Sequence, residues 1–174
     1  MGQLDNKIAI VTGAGGGIGG AIAVRLAREG AKIAVADIDG ETAKSRAAEI
    51  TRQGGQSFSV VADVTRKISV EQMVQAALDR WGRIDILVNV AGGAQAKPVI
   101  EVSETEWDHI INMNLKSVFL CAQAALPAMM KQHYGKIVSI SSIYGFTGNA
   151  TRASYAAAKA GVAVFTKSLA LEVV

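Results

Sequence analysis

A chain of 174 residues, half of them hydrophobic and 5% aromatic, suits one domain with a sizeable core and excludes a disordered polymer. Its formal charge of +3 is scattered along the chain rather than gathered into a basic stripe, which argues against nucleic acid as a partner. The single cysteine, Cys121, cannot close an internal disulfide, so a reducing cytoplasm is the expected location.

The opening residues, MGQLDNK, carry no apolar signal core, and Asn6 stands where an N-myristoylation signal needs Ser or Thr. The β-branched run at residues 7–11 reads as a first strand and ends in Thr12-Gly13. A helix is expected over residues 17–29, with Gly30 as its stop. A second apolar run covers residues 33–36 and ends at Asp37. Residues 41–52 read as a polar helix closed by Gly54-Gly55, and residues 58–61 as a third strand leading to Asp63. The next helix is expected over 69–81, with Ser69 as its N-cap and Glu71-Gln72 in its first turn. A fourth strand covers 84–89. One long helix is expected over 104–131, bent near Pro127, with Gly135 as its end. Its apolar stretch, residues 117–130, is too short to span a bilayer and reads as a buried helix. Residues 136–141 form a fifth strand, and the last helix carries Tyr155 and Lys159 to the chain end.

Strand and helix alternate, and the strands are nearly continuous in apolar residues. That pattern predicts a parallel sheet covered on both faces. Right-handed crossovers then give a doubly wound, Rossmann-like α/β sheet of five strands in the order 3-2-1-4-5, so residues 1–174 read as a single nucleotide-binding domain.

Ligands of such folds bind at the carboxyl ends of the strands. There the first strand runs into TGAGGGIGG, residues 12–20. Glycines allow a tight turn and close backbone approach to a pyrophosphate, and the following helix start offers free N–H groups. The register stays open, since Gly15, Gly17 and Gly20 also fit G-x-G-x-x-G. Asp37 lies about 20 residues on, where an acid holds the adenosine ribose hydroxyls. With Asp39 beside it and no Lys or Arg between Ala36 and Gly40, a 2′-phosphate would meet repulsion, which favours NAD over NADP. Asp37 also fits a helix cap.

The stretch SYAAAKAG, residues 154–161, sets a phenol and an ammonium on one helix face, because positions i and i+4 are neighbours. Alone, it also fits an amphipathic helix with two snorkelling tips. Its place decides between them: it follows Ser141-Ser142, at the same sheet edge as the glycines. A lysine beside a phenol favours the ionised form, a phenol so tuned exchanges a proton with a substrate oxygen, and a serine hydroxyl can hold that oxygen. With a nicotinamide to carry hydride, these parts make an alcohol–carbonyl redox site.

Thr12-Gly13-x-x-x-Gly17-x-Gly19, Asp63-Val64, Asn89-x-Ala91-Gly92, Asn114, Ser142 and Tyr155-x-x-x-Lys159, in this order, resemble the short-chain dehydrogenase/reductase family over the whole chain. The resemblance implies Tyr155 as the catalytic acid/base, with Lys159 tuning it and bonding the nicotinamide ribose. It implies Ser142 orienting the substrate oxygen, and Asn114 holding a water that links Lys159 to solvent. Cofactor contacts are implied for Gly13, Gly17, Ile18, Gly19, Asp37, Asp63 (facing the adenine), Val64 (packing beside it), Asn89, Ala91, Gly92, Tyr155 and Lys159. Val90 stands where the family often has a second Asn, which weakens that loop's expected hydrogen bonding. The implied activity is transfer of a hydride between NAD(H) and a secondary alcohol or ketone, such as a 3-oxoacyl thioester, a sugar or an alicyclic alcohol. The family usually adds two more strands and a mobile segment over the substrate. This chain stops at Val174 inside a helix, so it reads as C-terminally truncated, with an unpaired apolar edge at residues 137–140. The alternative is a non-catalytic nucleotide-binding or dimerisation fragment. The long helix and the Tyr155 helix imply a homodimer or homotetramer. Tyr144 has Gly148 one turn on instead of a lysine, and reads as a cleft wall. His109 and His133 lie far apart with no acid or thiol cluster and read as surface or packing residues, not metal ligands. Cys121, Trp81 and Trp107 read as packing residues.

Overall fold

The computed structural model describes residues 2–173. β1 (Ile8–Thr12), β2 (Lys32–Asp37), β3 (Gln56–Val61), β4 (Ile86–Asn89) and β5 (Lys136–Ser139) form one parallel sheet in the order β3-β2-β1-β4-β5. β1 and β4 are buried along their whole length, and β2 along all but its two end residues. The outer strands β3 and β5 carry exposed residues, because each has a neighbour on one side only.

The pleat of β1 divides the core. Ile10 joins Ala34, Met73, Leu87, Leu120 and Cys121 on the face covered by α3 (Lys67–Trp81) and α5 (Ser117–Lys131). Ala9 and Val11 join Ile33, Val35, Ala23 and Ile50 under α1 (Gly17–Arg28) and α2 (Gly40–Arg52). Each large apolar side chain so buried contributes about 1.5–3 kcal/mol. Trp81 packs edge-on against Phe58, with ring centroids 5.1 Å apart.

Several expected boundaries move. α3 begins at Lys67, and its N-cap Arg66 makes no side-chain bond. Ser69 lies inside the helix, where its hydroxyl accepts the Asp63 N–H at 3.0 Å. The long helix is two helices, α4 (Glu104–Ile111) and α5, joined by a π-helical turn over Asn112–Lys116. The irregularity sits at Asn114 rather than Pro127, which α5 absorbs without a break. Two side chains take helix carbonyls here: Asn114 Nδ2 donates to Ile110 O at 3.0 Å, and Ser117 Oγ to Met113 O at 2.7 Å. α5 stops at Lys131, and His133, at φ 51°, makes the turn that Gly135 was expected to make. β5 is two residues shorter than expected, and a 3₁₀ turn (Val99–Glu101) and α6 (Tyr144–Thr147) are too short to leave a periodic signal. α7 (Ala153–Glu172) packs on α4 and the π turn.

Candidate active site

A parallel sheet brings all its carboxyl ends to one edge. Thr12 stands level with Ala36, Asp37 with Val61, and Asn89 with Ser139. The strand-end motifs therefore converge although up to about 140 residues separate them in the chain.

The glycine turn is built from close backbone approaches. Gly13 has φ +63°, and a Cβ on it would stand 2.9 Å from Ala91 Cα. A Cβ on Gly19 would stand 2.1 Å from the Gly13 carbonyl oxygen. Gly20 faces only the flexible Arg46 side chain, so the register with backbone reasons behind it is Gly13, Gly17, Gly19. Ile18 projects from the turn, 64% exposed. Sequence reasoning passed over the part played by Thr12. Its buried hydroxyl accepts the Val90 and Ala91 N–H groups at 3.1 and 3.3 Å, tying the β4 loop to the glycine turn. Val90 thus keeps its backbone bonding, and its side chain packs into the core under α1 and α2.

Asp37 does not cap α2; Asp39 does, accepting Glu41 N–H and Thr42 N–H. The Asp37 carboxylate instead accepts Gly15 N–H at 2.9 Å and Asp39 N–H at 3.1 Å, which stations it beside the glycine turn. Asp63 accepts Thr65 N–H and Oγ at 2.9 and 2.6 Å. Val64 faces the core between the sheet and α3 and is 8% exposed. Asn89 donates to Ser139 Oγ at 3.1 Å, while its own buried Oδ1 has no partner in the protein. The space a Cβ would fill at Gly16 and Gly17 is open, and such a side-chain-free backbone cradle at a helix start is what a bound dinucleotide would complete. The residues fit such a cofactor.

At the other end of the edge, Lys159 is 5% exposed. Its Nζ donates to Ile140 O at 2.7 Å and stands 5.7 Å from the centre of the Tyr155 ring. Burial pushes its pKa below the ordinary lysine value. Ser141 donates its hydroxyl to Lys159 O at 2.7 Å, a bond that locks the end of β5 to α7. Ser142 Oγ accepts Tyr144 N–H at 3.2 Å at the entry to α6. Asn114, fully buried, holds Gly93 by both backbone groups, at 3.3 Å to N and 2.8 Å to O. Gly92 separates it from the lysine: a Cβ there would stand 2.6 Å from Asn114 Oδ1 and 3.7 Å from Lys159 Nζ. Tyr155, Lys159, Ser142 and Asn114 thus come to one end of the sheet. Cys121 stays apart, buried under the sheet with its thiol pushed up to about 12. A concavity lies away from this site, against the open edge of β5 between α5 and α7.

An α/β sheet with a glycine turn, an acid after β2 and a Tyr-Lys pair after β5 defines a dinucleotide-dependent oxidoreductase fold. The sequence profile of the short chain dehydrogenase family matches residues 7–174, and the chain belongs to that family. It is 41% identical over 173 residues to a 3-oxoacyl-[acyl-carrier-protein] reductase of Synechocystis, covering 99% of this chain and 70% of that protein. It is 41% identical over 172 residues to cyclopentanol dehydrogenase of Comamonas testosteroni, covering 99% and 69%. The crystal structure of gox2181 superposes with a TM-score of 0.95 at 36% identity, covering 98% of this chain and 67% of that one. The chain therefore spans about 70% of the length of these relatives. Among the described residues, no helix is long and apolar enough to cross a membrane.

Proposed function

We propose that residues 1–174 act as a single nucleotide-binding domain that supports NAD-dependent interconversion of a secondary alcohol and its ketone. The observation that carries this reading is the buried Lys159 ammonium held by Ile140 O, one helical turn from Tyr155. When bound, the nicotinamide supplies or accepts the hydride. In the reducing direction, the Tyr155 hydroxyl gives its proton to the carbonyl oxygen, and the Ser142 hydroxyl donates a hydrogen bond to the same oxygen. The Lys159 charge steadies the phenolate that remains. Asn114 fixes Gly93 and holds the turn of chain beside the lysine. The glycine turn at Gly13, Gly17, Ile18 and Gly19, with Asn89, Ala91 and Gly92, cradles the dinucleotide, and Asp63 and Val64 lie toward its adenine end.

The preference for NAD over NADP rests on charge. Asp37 ends β2 and Asp39 caps α2, and Arg46, which packs over Gly20, is already paired with Glu49. The substrate class, by kinship with the reductase and the alicyclic-alcohol dehydrogenase, is a 3-oxoacyl thioester, sugar or alicyclic alcohol. The working protein is a cytoplasmic homodimer or homotetramer, with the exposed Phe119 and Val164 of α5 and α7 in its interface. Melting with each cofactor tests the reading. At one hundred times its dissociation constant, NADH should add about 2.7 kcal/mol of stability. NADPH should add far less, and Asp37→Ala should erase the difference. A larger rise with NADPH would overturn the NAD assignment.

A further inference from the structure

Residues 93–98 leave the cleft at Gly93, which Asn114 holds, and meet the segment that feeds α7: the Lys97 N–H donates to Thr151 O at 2.7 Å. Thr151 has φ +64°, a conformation a β-branched residue adopts only where its surroundings impose it. Four residues later stands Tyr155.

One carboxylate anchors this loop. Lys97 Nζ lies 2.8 Å from both oxygens of Glu106, in the first turn of α4. Glu106 Oε1 also accepts Gln95 Nε2 at 3.0 Å, and Oε2 accepts Ser103 N–H at 2.8 Å and Ser103 Oγ at 3.0 Å. The Lys97 bond, followed by those from Ser103, holds the Glu106 carboxyl at about 2. A capping box needs only the Ser103 bonds, so those to Gln95 and Lys97 are additional. The anchor also sets the Gln95 amide. A carboxylate only accepts, so Nε2 must face it, and Gln95 Oε1 is left buried without a partner. A buried acceptor left unpaired is a cost that marks the other end of the amide as needed.

We propose that Glu106 is a positioning residue for the substrate side of the site: it clamps residues 93–98 to α4 and, through Lys97, holds the Thr151 segment that leads to Tyr155. The role rests on the oxidoreductase reading: residues 93–98 start beside Gly92, Asn114 and Lys159, on the side of the site where that reading puts the substrate. α4 itself packs on α7, so one carboxylate links the three elements.

Glu106→Gln keeps the shape and removes the charge. It should raise KM for the carbonyl substrate about tenfold, with kcat and NADH affinity nearly unchanged. The Lys97 amide should exchange with deuterium about tenfold faster while the amides of β1 and β4 keep their protection. Lys97→Met, which leaves the helix cap intact, should give the same KM rise, and the double variant no more than either single. It also carries the test if Glu106→Gln does not fold. Unchanged Lys97 exchange, unchanged KM or additive effects would overturn the proposal. If the wild type turned over no alcohol or ketone, the oxidoreductase reading would fail, and the exchange of the Lys97 amide would still decide whether Glu106 is the clamp.

Discussion

The β1 end and the β5 end of the sheet edge are built from different materials. At β1 the working surface is backbone: Gly13 lies against Ala91, Gly19 lies against the Gly13 carbonyl, and the Thr12 hydroxyl ties in two further N–H groups. At β5 it is side chains: Lys159 is held by one carbonyl, Ser142 by one amide, and the Tyr155 ring lies within 5.7 Å of the lysine. A backbone surface cannot be altered without moving the strands it joins. A side-chain surface can lose its chemistry and keep its fold. Binding and stability are therefore coupled at the first end, and turnover and stability are separable at the second.

The strongest way to break that contrast is Gly19→Ala. The added methyl would stand 2.1 Å from the Gly13 carbonyl oxygen, and no flexible side chain is there to yield. Overpacking against backbone should cost about 3 kcal/mol and abolish cofactor binding. For a chain of this size that lowers Tm by about 6–12 °C. A variant melting with the wild type and still binding NADH would refute the coupling.

Tyr155→Phe tests the other end. Turnover should fall by about two to four orders of magnitude, while the melt and NADH affinity stay at wild-type values. A variant that kept most of its kcat would remove Tyr155 from the mechanism.

The smallest effect is electrostatic. Burial lowers the folded pKa of Lys159 below 10.5, so between that lowered value and 10.5 the unfolded chain binds more protons. Relative to Lys159→Met, the wild type should then gain stability as pH rises through this window. Below it, the buried charge is a standing cost. Urea unfolding of both proteins from pH 7 to 10.5 measures the difference, and parallel curves would place the ammonium in water.

The sequence, read alone, determined the alternation of strands and helices, the glycine turn and the motifs that stand at strand ends. These follow from local signals: apolar runs, glycines after a strand, an i, i+4 pair in an alanine helix. In a parallel sheet, strand ends meet whatever lies between them. Tertiary structure decided what depends on partners distant in the chain. The glycine register was ambiguous until Gly13 and Gly19 met Ala91 and each other. Asp37 fitted both a ribose-binding acid and a helix cap until Gly15 N–H claimed its carboxylate and Asp39 took the cap at Thr42 N–H. The local signal pointed to Pro127 as the place where the long helix departs from regularity; the Ile110 carbonyl and the Gly93 backbone put it at Asn114 instead. No sequence pattern marks the bond from the Ser141 hydroxyl to the Lys159 backbone carbonyl, which ties the end of the β5 segment to α7. Hydrogen bonds between groups tens of residues apart leave no periodicity, so only the folded chain reveals which side chains they fix.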